Sequence, residues 1–353
     1  MTPCYAQIKV SGGKSFTAAA LDHFLTKQID SIGIPGLSIA IINDGRIVYH
    51  RTLGVSNLST AAPLNSKSIF EAASLSKTVF TYFVLRLADK GVLNLDTPLY
   101  KYMAYPDIAH DKRYQLITAR MVLSHTSGFP NWRRDNLLDT TQHIKPGNLY
   151  LKFTPGTKFS YSGEGYYYLA QVIAHLTKND LQSLDQLFQK EVSIPLGLPY
   201  AWFSTHSFIT KHKVTGYMNG KAIQRWPGSI PKQDSTWFGA AGGLHTEADS
   251  YAQFLIKLMN GTGLSDQMAN EIFKEQVTFP REEDHDGESG WGLGIAILPT
   301  PKGTDYEHSG NNGNFQSYFR INKQQKNGYV FFTNCDQAPL FNEKLAHYFS
   351  TGT

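Results

Sequence analysis

The sequence predicts an α+β sandwich: one antiparallel sheet built from both ends of the chain, flanked by helices, with a mainly helical region inserted between. Three observations carry this. Helix and strand signals share the first 67 residues, helical signals dominate from 68 to 284, and short β-prone runs return after 285. The division expected is a discontinuous sheet domain, 17–67 plus 285–353, and a helical domain, 68–284, with the active site at their junction. The 353 residues suffice for two such units. A composition of 41% hydrophobic and 18% charged residues is that of a globular chain. No apolar run approaches the roughly 20 residues of a membrane span.

Taken in order, Ala18, Leu21, Phe24, Leu25 and Ile29 repeat at helical spacing until Gly33 to Gly36 interrupt them. The apolar run Leu37 to Ile42 reads as a strand. Asn43-Asp44-Gly45-Arg46 then places Asp-Gly between two apolar segments, the favoured two-residue hairpin turn, with Ile47 to Tyr49 returning. Val79 to Ala88, Ile117 to Leu123, Tyr166 to Leu176 and Asp180 to Phe188 read as helices separated by Pro and Gly. Gly292 to Leu298, Gln316 to Ile321 and Tyr329 to Thr333 read as strands, and Leu340 to Phe349 as a closing helix.

The net charge of +4 comes without a Lys/Arg block, so neither nucleic acid nor a membrane surface is expected as partner. Cys4 and Cys335 form no Cys-x-x-Cys pair and cannot build a zinc cluster; their mutual pairing is unreadable. The first residues lack the basic and apolar stretches of a complete export signal, although Cys4-Tyr5-Ala6 has the small-residue spacing of a cleavage site.

Chemistry enters through Ser-x-x-Lys, which puts a hydroxyl and an amine one helical turn apart, so that a lysine of lowered pKa can accept the serine proton. The pattern occurs at Ser11 with Lys14, Ser74 with Lys77, and Ser229 with Lys232. Two glycines follow Ser11, and Pro231 lies inside the third pair, so neither suits a helical turn. Ser74-Leu75-Ser76-Lys77 leads into the apolar-periodic Thr78-Val79-Phe80, which sets Ser74 at a helix N-terminus with its N–H turned outward. His245, Glu247 and Asp249 alternate as metal ligands can, but at a helix start they point apart, and capping is the expected role. Thr246 and Asp249 fit a reciprocal cap.

Phe70-Glu71-Ala72-Ala73-Ser74-Leu75-Ser76-Lys77, Leu123-Ser124-His125-Thr126-Ser127-Gly128, Pro155-Gly156 with Phe159-Ser160-Tyr161-Ser162-Gly163, Gly242-Gly243-Leu244 and His308-Ser309-Gly310 follow one another in order. Together they resemble the serine β-lactamase and penicillin-binding protein superfamily, in its class C β-lactamase, DD-peptidase and esterase branch. The resemblance implies a β-lactamase/transpeptidase-like fold and a metal-free serine hydrolase without cofactor, acting on an amide, lactam or ester through a Ser74 acyl-enzyme. It implies Lys77 and Tyr161 as the proton carriers, an oxyanion site at the N–H groups of Ser74 and Asn311, and substrate contacts from His308, Ser309, Gly310 and Gly163.

Two choices are made inside it. Tyr161-Ser162-Gly163 is preferred over Tyr217-Met218-Asn219 for the family's Tyr-x-Asn, with Gly163 departing from the pattern. His308-Ser309-Gly310 is preferred over His285-Asp286-Gly287 for the Lys-Thr-Gly triad, with His308 expected to carry charge part of the time near neutral pH. Substrates implied are a β-lactam, a D-amino-acid peptide or an ester, and the family's cell-wall substrates imply export. A catalytically weak penicillin- or peptidoglycan-binding protein or sensor of the same fold is the alternative. An unrelated binding protein with accidental motifs is a third.

Overall fold

The computed structural model describes residues 7–10, 14–133, 148–223, 237–280 and 285–353. Helix α1, Ala18–Ile32, starts where Thr17 Oγ1 accepts the Ala20 N–H and buries Leu21, Leu25 and Ile29 along one stripe. It stops at Gly33, whose φ of 82° is open to a residue without Cβ. Strand β1, Gly36–Asn43, is buried along its whole length, and Asp44-Gly45 turns it into β2, Arg46–Asn57, a longer return strand than the three residues expected.

The sheet is completed by β3 (Ala62–Pro63), β4 (Val277–Thr278), β5 (Gly290–Trp291), β6 (Ala296–Thr300), β7 (Gly303–Asn311), β8 (Gln316–Asn322) and β9 (Asn327–Thr333). Its nine strands lie in the order β4-β5-β6-β7-β8-β9-β1-β2-β3 with antiparallel neighbours. The closing step is β9 against β1, where Val330 faces Ala40 and Phe332 faces Ser38. Both ends of the chain therefore share one α+β sheet.

Side chains alternate across that seam. Leu37, Ile39, Ile41 and Phe331 pack with Leu21, Leu25, Phe341 and Leu345 under α1 and the last helix, Ala338–Thr351. Ala40, Ile42, Val330 and Phe332 face the other way and join the larger core that includes Phe70, Phe80 and Leu255. The site forms on this second side. Three more helices of the described chain matter to it: α2 (Ser76–Asp89), α3 (Gly163–Leu176) and α4 (Ala248–Met259).

Three local expectations change. The strand read over Gly292 to Leu298 is broken, because Gly292 to Ile295 leaves the ladder to dock on α2. Gly294 accepts the Thr78 hydroxyl at 2.8 Å and donates to Leu123 O at 2.8 Å, and a Cβ there would overlap Thr81 Oγ1. The helix read from Asp180 starts at Leu184, since Asp180 Oδ1 accepts the N–H groups of Gln182 and Ser183 in a turn. The cap of α4 is Glu247, whose carboxylate accepts from Asp249 N at 2.6 Å and Ser250 N at 2.8 Å, while Thr246 donates to Tyr200 O. Among the described residues no helix is long and apolar enough to cross a membrane. Cys335 is buried, with a thiol that burial pushes up to about 11, and Cys4 lies outside the described residues.

Candidate active site

Ser74 stands in a tight turn, Ala73–Leu75, that runs directly into α2. Ala73 has φ of 47°, a left-handed conformation that an L side chain adopts at a cost of about 1 kcal/mol or more. Packing holds it there. Ala72 N donates to Leu244 O at 2.8 Å, and Ser76 Oγ receives Leu244 N at 2.9 Å while donating to Ala73 O. From the sheet side, Ser317 Oγ donates to Ala72 O at 2.8 Å, and Gly310 on β7 approaches so closely that a Cβ would lie 2.6 Å from that same carbonyl. Glycine at 310 is thus fixed by contact with the turn that carries Ser74. Ser74 itself remains half-exposed.

Lys77 occupies the first turn of α2 and is 1% exposed. Its Nζ lies 3.1 Å from Ser74 Oγ and donates to Ala241 O at 2.6 Å. Among the described residues no carboxylate forms an ion pair with it. Burial without a counter-ion lowers its pKa to about 7. The amine can therefore exist neutral beside the hydroxyl at physiological pH.

Tyr161 places its ring 4.7 Å from Lys77 Nζ. Burial pushes its hydroxyl up, and the facing Ser74 hydroxyl pulls it partly back without a closed hydrogen bond between them. The Tyr161 hydroxyl thus faces that of Ser74, and its ring lies against the amine of Lys77. His308 points in from β7, its ring 6.0 Å from that of Tyr161. The expectation of a part-time cation is corrected here: burial first, then the charge of Lys77, lower its pKa to about 3. Its Nδ1 lies 2.7 Å from Ser309 O, so that nitrogen carries the proton and the ring is neutral. Ser309 and Asn311 are exposed on either side of buried Gly310, and Asn311 Oδ1 accepts Gly313 N at 2.7 Å.

Gly163 begins α3, which Ser162 caps by accepting Gly165 N at 3.0 Å. The space an asparagine side chain would need at 163 is filled by Trp132, since a Cβ would come 2.5 Å from its indole. Next to it, Glu164 is fully buried and takes three bonds from Arg133 at 2.9 to 3.0 Å, and Arg133 also reaches Asp107 at 2.6 Å. A second ionic tie lies behind the nucleophile. Glu71 pairs with Lys213 and accepts Asn312 Nδ2 at 2.6 Å; burial would raise its pKa, but Lys213 and His245 outweigh that and hold it below the usual value. Asn312 is thereby fixed just beyond Asn311, at the end of β7.

The other motif matches lie elsewhere. Ser11 and the Ser229 to Lys232 pair are outside the described residues. Tyr217 receives Leu58 N at 2.7 Å and belongs to the core under α1. His285 stacks on Phe279 at 4.1 Å. His245 and Glu247 point apart, the first toward Glu71 and the second into the α4 N-terminus. A surface groove lined by His23, Phe24, Lys27, Glu343 and His347 contains none of the residues around Ser74.

Sequence reasoning missed three participants. The Ala241 carbonyl leaves no side-chain signal, though the surrounding Gly239, Gly242 and Gly243 hint at a backbone that must approach closely: Gly239 and Gly243 leave each other no room for a Cβ. Trp132 could not be placed under Gly163 from spacing. His125, quoted only as part of a motif, proves fully buried at φ 58°, with its ring 4.2 Å from that of Tyr161.

Comparison with known proteins bears on the family and the fold. The family model described as Beta-lactamase matches residues 15–351. Protein flp of Staphylococcus aureus (strain MW2) is 24% identical over 325 residues, 89% of this chain and 62% of that protein, so the chain spans less than two thirds of that relative's length. Penicillin-binding protein 4 of Amycolatopsis lactamdurans is 23% identical over 82% of this chain and 77% of its own length. Among solved structures, the octameric penicillin-binding protein homologue from Pyrococcus abyssi superposes with a TM-score of 0.78 at 22% identity, covering 96% of this chain and 78% of that one. The D-alanine carboxypeptidase AmpC from Burkholderia cenocepacia gives 0.71 at 18% identity, covering 93% and 98%. At these identities the two structures speak for the fold.

Proposed function

This chain belongs to the β-lactamase family, and on that premise we propose that it is a serine hydrolase cleaving an amide, lactam or ester through an acyl-enzyme on Ser74. The observation that carries the reading is Lys77: a buried amine 3.1 Å from a half-exposed serine hydroxyl, with a pKa lowered to about 7. In this reading neutral Lys77 and Tyr161 share the removal of the Ser74 proton as Oγ attacks the carbonyl carbon, and they return a proton to the leaving group. Water then attacks the acyl carbon and releases Ser74. The N–H groups of Ser74 and Asn311 stabilise the oxyanion, and His308 and Ser309 orient the substrate's polar end beside Gly310. The neutral His308 and the indole in the place of an asparagine side chain favour a peptidase, D-amidase or esterase over an efficient β-lactamase. Export, on the pattern of cell-wall substrates, belongs to the same proposal. So does the division into a sheet domain of 17–67 plus 285–353 and a helical domain of 68–284.

The test is time-resolved intact mass after mixing with a penicillin and, separately, with a p-nitrophenyl ester, alongside Ser74→Ala. A covalent mass increase mapped to Ser74, or product release that the variant lacks, supports the reading. No adduct and no turnover with either class would overturn it. A penicilloyl adduct that never releases would mark the penicillin-binding protein of the alternative reading.

A further inference from the structure

Around Tyr161, four buried polar atoms find no hydrogen-bond partner among the described residues: His125 Nε2, Tyr161 Oη, Trp291 Nε1 and His308 Nε2. Their rings form a closed circuit, with centroids 5.3 Å apart for His125 and Trp291, 5.3 Å for Trp291 and His308, 6.0 Å for His308 and Tyr161, and 4.2 Å for Tyr161 and His125. Buried polar groups in native proteins are almost always satisfied, so four together call for a common partner.

The proton positions follow from the opposite edges of the two histidines. Ser162 N–H donates to His125 Nδ1 at 3.1 Å, so Nδ1 holds a lone pair and the proton of the neutral ring sits on Nε2. A carbonyl can only accept, so His308 donates from Nδ1 to Ser309 O, and its Nε2 is a lone pair. Trp291 Nε1 can only donate. The set therefore holds two donors, one acceptor, and a phenol oxygen that can accept. A water molecule has two lone pairs and two protons, the complement of that set, and internal waters typically make about three such bonds.

We propose that these four groups hold one internal water, which accepts from His125 Nε2 and Trp291 Nε1 and donates to His308 Nε2 and Tyr161 Oη. His125 and Trp291 are then positioning residues for Tyr161. Donation into Oη leaves the other lone pair for the Ser74 proton while the hydroxyl's own proton passes to neutral Lys77, and it stabilises the oxygen during that relay, against the burial that opposes charge there. The groups facing Tyr161 are Ser74 and Lys77 from the nucleophile turn and α2, His125, Tyr166 of α3, Trp291 of β5 and His308 of β7; with both histidines neutral, Lys77 is the group among them that titrates near neutral pH. This catalytic consequence rests on Tyr161 carrying a proton, whereas the water site does not.

A high-resolution crystal structure of the full chain decides the site. Density for one water within about 2.7–3.2 Å of all four atoms is expected. Trp291→Phe removes one donor. His125→Asn removes the other while tolerating the positive φ, and its Oδ1 can still receive Ser162 N–H. In each variant kcat on a p-nitrophenyl ester should fall about tenfold with KM unchanged, while the pH–rate midpoint set by Lys77 stays near 7. A direct His125 to His308 bond with no water in the density, or folded variants with the parent kcat, would overturn the inference. If the parent chain turns over no ester, the Ser74 reading fails, and the density alone decides the water.

Discussion

Lys77 and Glu164 are ionisable side chains buried near the Tyr161 to Gly163 stretch, and the protein treats them in opposite ways. Glu164 is met by Arg133 through three hydrogen bonds at the start of α3, with Asp107 behind the guanidinium. Lys77 receives a carbonyl, a hydroxyl and the faces of Tyr161 and Tyr166, and no carboxylate among the described residues. The lesson is that a salt link holds the scaffold, while on the proposed reading the withheld counter-ion leaves Lys77 able to act as a base. A carboxylate beside Lys77 would hold the amine protonated and useless as a base.

The comparison can be broken most severely at its product. Ser74→Ala should lower acylation by roughly five orders of magnitude or more at unchanged melting temperature, as read by burst kinetics with a p-nitrophenyl ester. Lys77→Met should remove most of that acylation as well, yet raise stability, because a buried unpaired cation is exchanged for an apolar chain. The sign follows from the lowered pKa. Below pH about 7 both folded and unfolded chains hold the Lys77 proton and the folded state bears the full penalty of burying it; as pH rises from about 7 toward the ordinary lysine value the unfolded chain alone holds the proton, and the penalty fades. Chemical denaturation should therefore show Lys77→Met about 1–3 kcal/mol more stable than the parent at pH 6, with the gain shrinking by pH 10.

Arg133→Ala should behave oppositely, losing about 2–4 kcal/mol in chemical denaturation because Glu164 is left buried without its ionic partner. Equal signs for Lys77→Met and Arg133→Ala would erase the distinction. The smallest effect is steric. Gly163→Ala should destabilise by about 1–3 kcal/mol through collision with Trp132, and Trp132→Ala in the same chain should recover part of it, a coupling that a double-mutant cycle reads directly.

The sequence made one half of this contrast visible. The Asp44-Gly45 turn, the apolar run that became β1 and the strands read around 316 and 329 follow from local periodicity, so the shared sheet was legible. Ser74 and Lys77 were legible because the motif needs only one helical turn, and Tyr161 and His308 because the family resemblance supplied them. What decides their chemistry was not. The Ala241 carbonyl that holds Lys77 is a backbone atom 164 residues away, and Trp132 reaches Gly163 from a distant part of the sequence. The neutrality of His308 depends on burial against Trp291 and Lys77, which spacing cannot report. Likewise Thr246 matched a capping pattern, but a partner at Tyr200 claimed its hydroxyl and left the cap to Glu247.

The most direct test of the central claim is the pH dependence of the acylation rate, measured by stopped-flow bursts with a p-nitrophenyl ester from pH 5 to 10 in the parent chain and in Lys77→Met. A neutral Lys77 acting on Ser74 predicts a rate that rises through a midpoint near pH 7 and loses that transition in the variant. A parent rate that stays flat across pH 7, or a midpoint that survives in Lys77→Met, would contradict it.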